Sequence, residues 1–285
     1  MSTPEQAERQ RAELRARWDA GAAGWGRRAD EVRRFGMPVS AWMLDRLALQ
    51  PGQVVLELAA GPGDTGLMAA ELVAPGGELI CSDASEEMLA IARRRARQQG
   101  IGNVRFRRLE LEWIDLDAAS VDAIACRWGL MFALDAGAAL QEMRRVLRPG
   151  GRLALAVWDS VDHNPWARIP TEAAVLLGHE KPPDPAAPNM FSLGDRRILE
   201  DLLRGAGFLD LELEAVELRR SEAGIGAFLA STLDLSRPFA ELRERLSEEG
   251  WQALQAKIAE LAEPFTGPDG SLAFPARALA AAAVA

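Results

Sequence analysis

The side chains best placed to do chemistry cluster around one glycine-rich stretch, "LELAAGPGDTG", which carries G-x-G-x-x-G at Gly61, Gly63 and Gly66. Glycines after a strand accept positive φ and let a ligand approach the backbone closely. Two kinds of nucleoside use such a loop, and their charges are opposite. A dinucleotide brings phosphates, whereas a sulfonium nucleoside brings a sulfonium and an ammonium. Glu57 ends the apolar stretch "VVLEL", four residues before Gly61. Its carboxylate would repel a pyrophosphate and attract a cation. Pro62 removes one N–H from the loop and so weakens a cradle of amides for an anion. The loop therefore favours a cationic nucleoside. Asp83 ends the next apolar stretch, "GELICSD", where a carboxylate can accept both hydroxyls of a ribose or cap the following helix. Within that helix Met88 suits an adenine face or the core, and Arg93, Arg94, Arg95 and Arg97 read as a solvated face.

Other reactive side chains are few. His163, in "WDSVDHNPW", is the candidate general base, with a loop hydrogen bond as its alternative role. His179, beside "EKPP", takes no role. Cys81 and Cys126 form neither a disulfide framework nor a metal-ligand spacing, so a reducing, cytoplasmic setting is expected, with no metal. The start of the chain is polar and has no secretory signal, and no apolar run is long enough for a membrane span. A net charge of −9 argues against nucleic acid as a partner. With 48% hydrophobic and 26% charged residues, the 285-residue chain has ordinary globular composition.

Strand and helix signals alternate around these residues. Strands are expected at "VVLEL", "GELICSD", "VRFRRLE", "VDAIACRW" and "RLALAVW", with helices at Thr65–Leu72, from Ser85 to Gly100, and over "AALQEMRRVLRPGG". That rhythm predicts an α/β, doubly wound, mostly parallel sheet whose post-strand loops share one ligand edge. Ahead of it, a charged helical stretch spans residues 4–33, and a second helix is expected from Val39 to Ala48, started by Pro38. The domain plan is a helical cap over 1–50, the cofactor core over 51–158, a proline-dense, loop-rich acceptor lid over 159–194, and a C-terminal part over 195–285. The last part holds a helix over "LGDRRILEDLLRGAGF", an edge strand "LDLELEAVEL", and helix over 240–262. The alanine-rich tail is ambiguous on local propensity.

Several motifs in order resemble class I S-adenosylmethionine-dependent methyltransferases, closest to the ubiquinone/menaquinone-type small-molecule branch. They are "VLELAAGPG", "DASEEMLAIAR", "SVDAIACRWGLMF", "EMRRVLRPGGRLALAVW" and the N-terminal "WDAGAAGW", which has tryptophans where tyrosines are usual. The likeness covers roughly residues 15–160. It implies a seven-stranded Rossmann-like sheet and makes the alanine-rich tail its closing strand. It also implies S-adenosylmethionine as cofactor. Ala59, Gly61 and Gly63 would line the methionyl and ribose part, Glu57 the ammonium, Asp83 the ribose hydroxyls, and Ala84 and Met88 the adenine. Glu110–Leu111 replaces the usual aspartate and small residue at the adenine amino group, with Glu112 the fallback. Cys126 would lie beside the methionyl group, Arg127 and Trp128 would face the acceptor, and Trp25 would close over the cofactor.

Methyl transfer to an activated carbon needs positioning and exclusion of water more than a strong base. The expected activity is transfer to a small hydrophobic or aromatic acceptor, near Trp158, Trp166, Met190 and Phe191. Two other readings remain: an NAD-dependent oxidoreductase, and a non-catalytic S-adenosylmethionine-binding protein. The absence of tyrosine, and of lysine before Lys181, counts against the commonest oxidoreductase set.

Overall fold

A computed structural model describes residues 4–183 and 189–285. Strands β1 (Val54–Glu57), β2 (Glu78–Asp83), β3 (Val104–Arg108), β4 (Val121–Arg127) and β5 (Leu147–Trp158) are parallel, joined by helices α3 (Asp64–Leu72), α4 (Glu86–Gln98) and α5 (Ala136–Val146). Two antiparallel strands complete the sheet, β6 (Leu209–Glu222) and β7 (Leu272–Val284), in the order β3-β2-β1-β4-β5-β7-β6. This is the doubly wound, mostly parallel seven-stranded fold that the sequence implies. The middles of the central strands are apolar, because helices cover both faces of a parallel sheet. Val55, Leu56, Leu79, Ile124 and Leu155 are fully shut off from water.

The tail is strand despite its alanines. Residues Ala278–Ala282 pair with β5 on one side and β6 on the other and are almost entirely buried. Two ladders of backbone hydrogen bonds outweigh the fractions of a kcal/mol per residue by which alanine prefers helix.

Before the sheet, α1 (Pro4–Arg27) and α2 (Ala29–Leu47) form two long helices. Helix α2 runs through Pro38, where a helix start was expected. The ring deprives the Arg34 carbonyl of its donor, but Arg34 and Pro38 are both exposed, so water can fill that place. The buried stripe Val32, Gly36, Val39, Met43 and Leu47 continues across the proline and holds the helix in one piece.

The segment expected to be a loop-rich lid also differs. It contains a twelve-residue helix, α6 (Pro165–Leu176), begun by a proline whose missing N–H costs nothing at that position. Its Ile169, Ala173 and Ala174 join a second core with α8 (Ile225–Leu235), α9 (Arg237–Arg245) and α10 (Glu248–Ala262). The helical stretch expected over 240–262 is thus two helices, restarted by Ser247, whose hydroxyl accepts from the Gly250 N–H. Part of "KPPDPAAP", residues 184–188, lies outside the described residues. Helix α7 (Arg196–Gly205) leads from this segment back to β6.

Candidate functional site

The strand order reverses between β1 and β4, and in open α/β sheets ligands bind outside the carboxyl ends of the strands at such a point. A cavity of about 140 Å³ lies there. Its floor is the loop after β1, from Ala59 to Pro62. Asp83, Ala84 and Met88 supply one side, Glu110, Leu111 and Glu112 another, and Arg127, Trp128 and Gly129 the end of β4. Helix α1 forms the remaining wall through Arg11, Leu14, Arg15, Trp18 and Trp25.

The loop spends its own amides. The Gly61 N–H donates to Asp83 Oδ2 at 2.8 Å, the Gly63 N–H donates to the Ala60 carbonyl at 2.8 Å, and Pro62 has none. A phosphate would find neither glycine amide of this turn free. At Gly61, with φ of 53°, an added Cβ would meet nothing within 4 Å, so the backbone is bare on its open side. Asp83 accepts from the N–H groups of Gly61 and Ser85 (2.8 and 2.9 Å), one on each oxygen. Each oxygen keeps a second lone-pair site, enough for the two hydroxyls of a ribose. Burial pushes the Asp83 carboxyl up to about 6.

Trp25, Ala59, Gly61, Asp83, Ala84, Met88, Glu110, Leu111 and Arg127 are therefore brought together on one cavity. Glu57, Gly63 and Cys126 sit behind that lining. Glu57 turns inward: its Oε1 accepts from the Gly66 N–H at 2.7 Å, and Oε2 receives the Cys81 thiol at 3.7 Å. Gly66 makes room for it, since a Cβ there would lie 2.1 Å from Oε2. Burial raises the Glu57 carboxyl to about 8. The Cys126 thiol is pushed up to about 12 by burial, and that of Cys81 is also raised well above the ordinary range, so neither is a ready nucleophile.

The structure does not bring His163 to this cavity. Its ring lies with Ser160, Asp159 and Arg277, the last 2.6 Å away. Trp158, Trp166, Met190 and Phe191 are likewise absent from the lining. They pack with or against the main core, Trp158 stacking on Trp128 at 4.3 Å between ring centroids.

What sequence reasoning missed comes from α1 and from the turn after β4. Arg15 Nη1 donates to Glu110 Oε1 at 2.6 Å, and Ser85 Oγ donates to Asp19 Oδ1 at 2.6 Å. Trp18 meets Phe132 edge-on at 5.2 Å and Trp25 at 6.0 Å. Helix α1 is thereby tied across the mouth by one ion pair, one hydrogen bond and a small aromatic cluster. The charge of Arg15 and the tryptophan spacing were visible, but nothing local said which carboxylate or ring they would meet. No cluster of metal-ligating side chains exists among the described residues.

The fold and this cofactor edge define a class, and comparison with known proteins agrees with it. Residues 55–151 match the family described as methyltransferase domain. The chain thus carries a class I S-adenosylmethionine-dependent methyltransferase domain, and S-adenosylmethionine is the cofactor of that class. Over 115 residues it is 36% identical to the ubiquinone/menaquinone biosynthesis C-methyltransferase UbiE of Shewanella sp. (strain ANA-3), covering 40% of this chain and 46% of that one. The match thus spans less than half the length of that relative. A putative methyltransferase of Haloferax volcanii, solved with its Trm112 activator, superposes with a TM-score of 0.57 at 19% identity, over 95% of this chain and 96% of that chain. Phosphoethanolamine N-methyltransferase 2 of Haemonchus contortus, solved with S-adenosyl-L-methionine, superposes at 0.53 with 17% identity, over 86% of this chain and 51% of that one. At these identities the structural likeness establishes the fold. No helix among the described residues is long and apolar enough to cross a membrane.

Proposed function

We propose that this chain transfers the methyl group of S-adenosylmethionine to a small, largely apolar or aromatic acceptor by in-line displacement. One observation carries the reading. The glycine loop offers a bare backbone face beside a carboxylate, with the Gly61 and Gly63 amides already engaged inside the protein and none at Pro62, which suits an adenosyl group better than a pyrophosphate. The same observation weighs against an NAD-dependent oxidoreductase. Bound there, S-adenosylmethionine supplies an electrophilic methyl on a sulfonium.

The chain's own residues bind, orient and exclude water. Asp83 holds the ribose hydroxyls, and Gly61 and Ala59 let the backbone run close to the nucleoside. Met88 and Ala84 flank the adenine, and Glu110, which keeps an oxygen beyond its bond to Arg15, takes the adenine amino group. Trp25 and Trp18 on α1 close the cavity against water, which strengthens every electrostatic contact inside it. Gly63, Glu57 and Cys126 act from behind: Glu57 fixes the start of α3 through Gly66, and Cys126 backs the turn that presents Arg127 and Trp128. Residues 1–50 serve as the cap, 51–158 as the cofactor core, and 159–194 with 195–285 as the part that braces the closing strands. A net charge of −9 supports a small molecule over nucleic acid as acceptor, and the buried unpaired thiols support a cytoplasmic setting.

Isothermal titration with S-adenosylmethionine, S-adenosylhomocysteine and NAD tests the cofactor. The two adenosyl compounds are expected to bind and NAD is not. Methyl transfer across a panel of phenols, amines and acids then tests the activity, and binding without transfer to any of them would support a non-catalytic role instead.

A further inference from the structure

S-adenosylmethionine carries a sulfonium, and the simplest partner for a cation is a carboxylate. The acid expected to meet the cofactor's positive charge is not available for it. Glu57 is turned inward onto the Gly66 N–H, and burial keeps its proton on at neutral pH. The three acids of the lining have work of their own. Asp83 accepts from Gly61 and Ser85 and faces the ribose, Glu110 is paired with Arg15, and Glu112 accepts from the N–H groups of Leu134 and Asp135. What the cavity offers beyond them is aromatic: Trp18, Trp25, Trp128 and Phe132 all line it. Trp128 belongs to a separate stack with Trp158.

The other three rings form one cluster. Trp18 meets Trp25 edge-on, with 6.0 Å between centroids and planes 69° apart, and meets Phe132 at 5.2 Å and 72°. Such packing engages at most one face of Trp25 and one of Phe132. All three rings are half-buried, neither sealed in the core nor out in solvent. The cluster is fastened at both ends of the nucleoside site. Asp19, next to Trp18, accepts from Ser85 Oγ at 2.6 Å, and the Ser85 N–H in turn donates to Asp83. Phe132 closes the short turn Leu130–Phe132 after β4, its N–H donating to the Gly129 carbonyl at 2.9 Å. Trp25 packs with Ala22, Met88 and Ile91. Trp18 and Phe132 therefore bridge from the ribose carboxylate to the end of β4. A cofactor whose ribose sits on Asp83 and whose methionyl part reaches the end of β4 carries its sulfur between those two points. The neighbouring arginines do not oppose it, because Arg15 is paired with Glu8 and Glu110, and Arg127 with Asp64.

From this we infer that Trp18, Trp25 and Phe132 form an aromatic seat for the sulfonium, and that these rings distinguish S-adenosylmethionine from its demethylated product. The inference rests on the methyltransferase reading above. A ring face attracts a cation, most strongly when the ring is an indole, and both ring positions on α1 hold tryptophan. S-adenosylhomocysteine has the same adenosine and the same amino acid end, but its sulfur is a neutral thioether. Every contact at Asp83, Gly61 and Glu110 is common to the two ligands, so the rings alone sense the lost charge. A carboxylate placed there would sense it too, but its oxygen is a nucleophile that the sulfonium can alkylate. Ring faces hold the charge without offering such an oxygen, and they weaken their hold once the methyl group has left.

Calorimetry of the full chain without acceptor tests this with three ligands: S-adenosylmethionine, S-adenosylhomocysteine and sinefungin, an adenosyl analogue with an ammonium-bearing carbon in place of the sulfonium. If none of them binds, the methyltransferase reading itself fails. The wild type is expected to bind both charged ligands about tenfold tighter than S-adenosylhomocysteine, which is about 1.4 kcal/mol and within reach of rings shielded from water. Trp18→Leu is expected to reduce that ratio to about threefold or less, and Trp18→Phe, which keeps a weaker ring, to restore part of it. Phe132→Leu is the independent variant, expected to lower the ratio in the same direction. A packing defect weakens all three ligands alike and leaves the ratio unmoved, so the ratio separates recognition of charge from support of the fold. The inference is overturned if the wild type binds S-adenosylhomocysteine as tightly as the charged pair, or if Trp18→Phe and Phe132→Leu both keep the full ratio. It is equally overturned if S-adenosylmethionine alone is preferred and sinefungin is not, because the site would then be reading the methyl group and not the charge.

Discussion

Replacing Glu57 by glutamine probes a heavily buried acid at the rim of the sheet. Glu57 is 3% exposed, and burial raises its carboxyl from the ordinary 4.5 to about 8. Unfolded, the side chain loses its proton near the ordinary value, whereas the native state keeps it until about 8. The native state therefore binds the extra proton across that window, and stability falls as pH rises from 4.5 to 8. At ~1.4 kcal/mol per unit, the shift corresponds to roughly 5 kcal/mol between the two charge states. Glutamine preserves the shape, still accepts from the Gly66 N–H, and carries no charge at any pH. The stability of Glu57→Gln minus that of wild type is thus expected to grow by about 4 kcal/mol between pH 5 and pH 9. Urea unfolding of both proteins at several pH values measures it, and the contribution of Asp83, common to both, cancels. A difference that stays flat within about 1 kcal/mol across that range would refute the account, because Glu57 would then be ionised in the folded protein as it is in water.

Asp83, raised to about 6 by burial, must be ionised to bind ribose hydroxyls, so S-adenosylhomocysteine affinity is expected to rise from pH 5 to pH 7. Asp83→Asn should lower that affinity about tenfold or more and flatten its pH dependence, as read by calorimetry, since a charge-assisted hydrogen bond contributes about 1.5–3 kcal/mol. Gly66→Ala places a Cβ 2.1 Å from Glu57 Oε2 and should destabilise the fold by about 1–3 kcal/mol in urea unfolding. In Gly24→Ala the new Cβ would lie 1.9 Å from the Asp234 carbonyl oxygen, pushing α1 off α8; the expected sign is faster proteolysis within residues 4–27 and slower digestion once S-adenosylhomocysteine is added. Arg15→Ala removes the ion pair to Glu110 and should speed release of S-adenosylhomocysteine in stopped-flow measurements by several-fold, in line with about 1 kcal/mol for one partly exposed pair.

The order of apolar and polar residues was enough to set the parallel strands, the turns after β1 and β2, and the carboxylate at Asp83. These depend on contacts close in sequence and on periodicities of two and 3.6 that the chain carries openly. Gly61, Asp83, Met88 and Glu110 could be placed on one edge for the same reason, since right-handed crossovers leave the post-strand loops nowhere else to go. Tertiary structure decided the rest. Alanine alone does not say strand, and β7 exists because β5 and β6 offer it two ladders. The proline-dense segment gave up its helix only through a second core with α8 and α10. Glu57 faces inward, not toward the cavity, because the empty side of Gly66 lies in its path. His163 pairs with Arg277, more than a hundred residues away, and α1 is fastened by partners as distant as Glu110 and Phe132. Side-chain pairing at such separations depends on how whole elements pack, and a local pattern of residue types carries no record of it.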